Sequence, residues 1–146
     1  MNARGGAVLY TPEILALAVE LANFPLNRAH TLRGEAHSRI CGSRVALSLD
    51  LNQIGRIGAI GAQVTACAIG QASGAIFLRS ALGQDSAALA AGRNEIEAWL
   101  AGDDALPSWP GIETLTTARA FPARHAAILL PWKAAFAALS NPCAGD

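Results

Sequence analysis

A period of two gives way to an apolar run at a single cysteine, and no other feature limits the fold of this chain as tightly. Before the change, Ile60, Ala62 and Val64 alternate with Gly61, Gln63 and Thr65, the pattern of a half-buried strand. After it, residues 68–80 contain no proline and only Arg79 as a charge. They are apolar on nearly every face, which predicts a helix buried inside a domain. Thr65, Gln71 and Ser73 interrupt the run well short of a membrane-spanning length. Cys67 falls in the first turn of that helix, where free N–H groups and the helix dipole favour a thiolate. The plainer reading is a small hydrophobe in a core, which is what most free cysteines are. Gly70 and Gly74 present no side chain on their face, so another backbone can come close.

Composition narrows the class. A chain of 146 residues, 52% of them apolar, is long enough for one globular domain with a real core. Acids and bases balance at 11 each, so there is no basic excess for nucleic acid and no polybasic run for lipid. Three cysteines at wide spacing, with no Cys-x-x-Cys, form neither a disulfide framework nor a zinc-finger pattern. A reducing cytoplasm is the expected compartment. The opening Met1-Asn2-Ala3-Arg4 lacks the apolar core of a secretory signal.

Taken in order, the chain predicts alternating elements. Thr11-Pro12-Glu13 reads as a cap, a first helical position and a dipole-facing acid, opening an amphipathic helix over 12–22 that stops before Pro25. An edge strand is expected between 31 and 39, interrupted by Gly34. Cys41-Gly42-Ser43 is a turn. Val45, Leu47, Leu49 and Leu51 then alternate with Arg44, Ala46, Ser48 and Asp50, the cleanest strand signal present. Asn52-Gln53-Ile54-Gly55 turns a hairpin. Ile57 is out of phase with Ile60, Ala62 and Val64, and a bulge at Gly58 absorbs the slip. Antiparallel return along this hairpin puts Cys41 and Cys67 at one end of the sheet.

Gly83 ends the buried helix, and Asp85 or Ser86 can cap the next. Gly92 predicts a division into short helices over 86–91 and 94–100. Asp103 and Asp104 sit in a proline-rich loop as solvated acids, since no partner acid or base lies at a defined spacing for catalysis. A short helix is expected over 112–119. A last helix runs over 122–139 with Pro131 inside it, where a kink is expected. His125 on that helix is an ordinary half-exposed histidine or a metal ligand. Residues 141–146, including Cys143, are expected to form a flexible tail.

These residues, as an ordered set, resemble a known family. Leu9-Tyr10 precedes the first helix. Cys41-Gly42 follows, then a hairpin, then Ala66-Cys67-Ala68-Ile69 with Gln71-Ala72-Ser73, and finally Leu130-Pro131-Trp132-Lys133-Ala134. The set is similar to the iron–sulfur cluster assembly scaffolds of the NifU N-terminal, IscU and SufU type, over nearly the whole chain. The resemblance implies an α+β fold: a small, mainly antiparallel three-stranded sheet with helices packed on one side, formed by a single scaffold domain over residues 1–140. It implies a scaffold rather than an enzyme, carrying a transient iron–sulfur cluster or zinc. The implied partners are a cysteine desulfurase and iron–sulfur acceptor proteins, with homo-oligomers allowed. Soft thiolates suit such cargo.

Two positions depart from the family pattern. Its first motif reads Cys-Gly-Asp, and here Ser43 stands third. Its last cysteine lies five residues before the tryptophan position, and here that residue is Ala127. The inherited ligands are therefore Cys41 and Cys67. His125 is a further candidate two residues from Ala127 and so on a different helix face. His37 or Cys143 would contribute only if loop or tail folds back. Two thiolates leave a four-ligand shell incomplete. The expected function is a scaffold that binds iron or a nascent cluster, or accepts sulfur, through Cys41 and Cys67. The alternative is an interaction or regulatory module on the same fold that carries no cluster. A thiol enzyme built on Cys67 is disfavoured, because no histidine is predicted beside it.

Overall fold

Alternating residues in the middle of the chain build the sheet on which the other elements are placed. The computed structural model describes residues 10–140. In it β1 (Leu32–His37), β2 (Arg44–Leu51) and β3 (Ile57–Thr65) form one antiparallel sheet in the order β1-β2-β3. Val45, Leu47, Leu49 and Ile57 are buried on the core face. On the other face the buried Ser48 hydroxyl accepts from the Asn27 N–H at 3.0 Å and lies 2.9 Å from His30 Nδ1. The hairpin turn sits at Asn52–Gly55, where Gly55 has φ +81° and the Asn52 side chain accepts from the N–H groups of Ile54 and Arg56. Asp50 pairs with Ala59 and Leu51 with Ile57. Gly58 is thus the extra, bulged residue, as the phase slip requires.

Among the described residues, four α-helices pack on this sheet and on one another. Helix α1 (Pro12–Glu20) starts at Thr11, whose hydroxyl accepts from the Ile14 N–H, and tightens into a 3-10 turn over Leu21–Asn23 ahead of Pro25. Helix α2 (Ala68–Ala81) is buried along most of its length. Helix α3 (Ser86–Leu100) is capped by Asp85, whose carboxylate accepts from the Ala88 N–H. A 3-10 stretch over Ile112–Ala120 and a 3-10 turn at Pro122–Arg124 lead into α4 (His125–Ser140), which packs across β1 and β2 and contains Pro131. The last helix therefore begins as 3-10 and becomes α at His125.

Two glycines behave differently from the sequence expectation. Gly92 does not divide α3, which is one helix of 15 residues. A Cβ there would sit 2.9 Å from Trp109 Cε3, so the missing side chain makes room for an indole instead of ending a helix. Gly34 does not weaken its strand. It lets β1 approach the Ala134 and Ala138 backbone of α4, where no Cβ fits. Around Trp109 the core is aromatic: Phe77 stacks on it at 5.4 Å, and Trp132 meets both rings edge-on at 5.2 Å. Among the described residues, the buried hydrophobic residues other than Ala127 form one cluster. Leu9, Cys143 and the 141–146 tail lie outside the described residues.

Candidate functional site

The β1–β2 turn holds the first thiol. Gly42 takes φ +72°, a conformation that costs other residues dearly. Its N–H donates to the Ser38 carbonyl at 2.9 Å, and the Ser38 N–H donates to the Ser43 carbonyl at 2.9 Å. This closes a small loop that presents Cys41 at intermediate exposure. The Cys41 sulfur lies 3.0 Å from the Ser43 hydroxyl, and Ser43 is only 2% exposed. That hydroxyl, donating to sulfur, holds the Cys41 pKa below its ordinary value. Burial opposes the shift, while the Ser43 N–H, the Ser38 hydroxyl and the positive charge of Arg124 add to it.

The hairpin register brings the second thiol to the same end. Arg44 pairs with Thr65 and Val45 with Val64. Cys41 precedes Arg44 by one short turn, and Cys67 follows Thr65 by two residues, at the N-cap of α2. The Cys67 carbonyl accepts the first helical bond from the Gln71 N–H at 2.9 Å, while its side chain makes no capping hydrogen bond. Its sulfur is thus not engaged in capping, on a residue of intermediate exposure.

The other sequence candidates are placed around this rim with unequal chemistry. Ala127, in the first turn of α4, is 1% exposed, and a Cβ built on Gly70 would lie 3.4 Å from its methyl. The third-cysteine position therefore packs over the first turn of α2, one turn beyond Cys67, with no donor atom. His125 directs Nε2 at the Arg119 carbonyl, 2.9 Å away. A carbonyl only accepts, so Nε2 carries a proton and only Nδ1 remains for a metal. His37 pairs with Arg44 at the same sheet end, on an exposed position. Among the described residues no group of three or more His, Cys, Asp or Glu side chains is arranged to hold a metal ion.

Sequence reading missed Arg124. It sits directly before α4, its charge favours the Cys41 thiolate, and its Nη2 is 3.5 Å from the Tyr10 hydroxyl. Its Nε is buried without an acceptor among the described residues. Its place three residues ahead of Ala127, one helical turn along, was the signal available.

The rim carries two thiols, and Cys41 is biased toward thiolate with a minor contribution from the Arg124 charge. Thiolates in general can accept a transferred sulfur atom or ligate a soft metal. This pair does not fit a fully protein-ligated cluster, because Ser43 is a poor donor and Ala127 is none.

The fold is similar to that of solved proteins. A nitrogen-fixing NifU-like protein (N-terminal) from Brucella abortus superimposes with a TM-score of 0.81 at 26% identity, over 91% of this chain and 93% of that one. A protein from the thermophile Fervidobacterium islandicum, assigned as an iron–sulfur cluster assembly scaffold for the SUF system, gives a TM-score of 0.78 at 20% identity. That match spans 90% of this chain and 96% of that one. No protein-family model matches the chain, and no curated protein matches it.

Proposed function

We propose, from the premise that this chain is a divergent member of the NifU N-terminal and SufU structural family, that it serves iron–sulfur cluster assembly as a two-thiol acceptor. Residues 1–140 act as one scaffold domain. Cys41 and Cys67 take up sulfur or iron as cargo, and the missing ligands come from outside: a second copy, a partner, or small thiols. In the sulfur step, the Cys41 thiolate attacks the outer sulfur of a persulfide on a cysteine desulfurase. The donor's S–S bond breaks, its cysteine leaves as thiolate, and a new S–S bond forms on Cys41 with no net oxidation. Ser43 and Arg124 hold Cys41 ready for that attack. An acceptor protein then takes the cargo. Zinc as resident ligand is disfavoured on the same donor count. No helix among the described residues is long and apolar enough to cross a membrane, which accords with work in the cytoplasm.

The observation that carries this reading is the β2–β3 register, which returns Cys67 to the sheet end of Cys41. Anaerobic incubation with ferrous iron, a desulfurase and cysteine, with and without added thiol, tests it. Visible charge-transfer absorbance that needs the added thiol, and that disappears in Cys41→Ser and in Cys67→Ser, is the expected result. Absence of both absorbance and a Cys41 persulfide defeats it. Ala127 favours a second reading, an interaction module that no longer carries a cluster. Capture of a desulfurase by metal-free protein, with no sulfur transferred, is its signature.

A further inference from the structure

We propose that the cleft between α3 and α4 is a binding site for a small organic carboxylate with an apolar body. The cleft has a volume of about 540 Å³, within the range of small-molecule sites. Trp132, Phe136 and Leu139 line it from α4, and Leu89 and Arg93 from α3. Spacings of three and four put each set on one helix face. The walls are mainly apolar, and Phe136, 60% exposed, is left without cover at the mouth.

Two N–H groups on residues that line these walls set the ligand's chemistry. Trp132 is 1% exposed, yet its Nε1 is buried with no acceptor, and so is Arg93 Nε. Among the described residues Arg124 Nε, at the thiol rim, is the third such donor, whereas Trp109 and Arg119 are satisfied. Trp109 Nε1 donates to the Ile76 carbonyl at 3.0 Å, and Arg119 donates to the Trp99 and Asp103 carbonyls. Buried donors are costly to leave unmet, and here two belong to residues lining one cleft. Glu97 approaches Arg93 Nε only to 3.7 Å, beyond hydrogen-bond range. An indole N–H and a guanidinium call for an anionic acceptor, and the leucines and phenylalanine for a hydrocarbon body. Neither N–H is in contact with solvent, and Trp132 Nε1 lies against α3, where a Cβ on Gly92 would be 3.3 Å away, so a ligand carboxylate must part α3 and α4 locally to meet it. The cleft lies along the half of α4 away from Ala127. The proposal is therefore independent of any role for the thiols.

Octanoate is the probe, with 1-octanol as its uncharged counterpart. The chain has three tryptophans, so ¹⁵N-tryptophan labelling gives three indole signals, and Trp132→Phe assigns one. The Trp132 signal should move saturably with octanoate, which should bind about tenfold more tightly than octanol because its hydrogen bonds are charge-assisted. Arg93→Gln should remove that preference while leaving octanol affinity unchanged. Glu97→Gln should tighten octanoate by freeing the guanidinium. An unmoved Trp132 signal, equal affinity for acid and alcohol, or an Arg93→Gln variant with the preference intact would each overturn the proposal.

Discussion

The two ends of α4 meet opposite kinds of neighbour. From its middle onward, Trp132 closes an aromatic trio and Ala134 and Ala138 lie against the bare backbone of Gly34. At its N-terminal end, Ala127 faces Gly70, and just outside lie Arg124, Cys41 and Cys67. One end is held by backbone contact and buried area. The other is a rim of partly exposed groups placed by strand register and a glycine turn. Stability should therefore reside at the first end and chemistry at the second, and substitutions can separate the two.

The largest expected effect is at the packed end. A Cβ on Gly34 would lie 2.3 Å from both the Ala134 carbonyl oxygen and the Ala138 nitrogen. These are main-chain atoms of a helix, which cannot rotate away as a side chain can. Gly34→Ala should therefore cost about 3 kcal/mol or more, toward the upper range for overpacking, read as a lowered denaturation midpoint at unchanged slope. A smaller loss would mean that α4 slides freely over β1, and the contrast between its ends would fail.

Midway along the comparison stands Ser73. Its buried hydroxyl donates to the Ile128 carbonyl at 2.6 Å, tying α2 to α4 close beside Ala127. Ser73→Ala removes the donor and should cost about 1–2 kcal/mol. Because this bond sits between core and rim, the same variant should also lower cargo retention at the thiols. Loss of stability with unchanged retention would show that the rim is indifferent to how α4 is seated.

At the rim itself, Ala127→Cys combined with Ser43→Asp restores the family donor pattern. Ala127 is buried against Gly70, so the added sulfur should cost about 1 kcal/mol in packing. Visible absorbance after reconstitution should then persist without added thiol. Persistence in the unaltered chain instead would mean that its two cysteines find further ligands by themselves.

Much of the fold could be read from periodicity. The alternation from Val45 to Leu51, the bulge at Gly58 and the Thr11 cap were each dictated by neighbours in sequence. What could not be read came from distant partners. Gly92 looks like a helix break because nothing nearby in sequence reveals Trp109, the ring that needs its space. Gly34 looks like a weak point in a strand for the same reason, its partner being a helix about a hundred residues onward. At the site, the common sheet end of Cys41 and Cys67 followed from antiparallel return. The hydroxyl of Ser43 beside the Cys41 sulfur and the reach of Arg124 depend on side-chain placement in turns, which carries no periodic signal.

The smallest expected effect concerns protonation and leaves the fold nearly untouched. Cys41 is acidified mainly by the Ser43 hydroxyl, with Arg124 a lesser contributor. In a Cys67→Ser, Cys143→Ser background, iodoacetamide should report Cys41 alone, and only the thiolate reacts. Half-maximal labelling rate should fall below pH 9.0, the ordinary thiol value. Ser43→Ala should move it up, and Arg124→Gln should move it up by less. The sign for stability follows: the folded pKa is depressed, so the thiolate's contribution is present above pH 9.0 and is lost as pH falls through the lowered value. If Arg124→Gln shifted the profile more than Ser43→Ala, charge and not the hydrogen bond would govern the thiol. The rim would then be tuned from the turn that leads into α4, and its independence from the packed end of that helix would have to be given up.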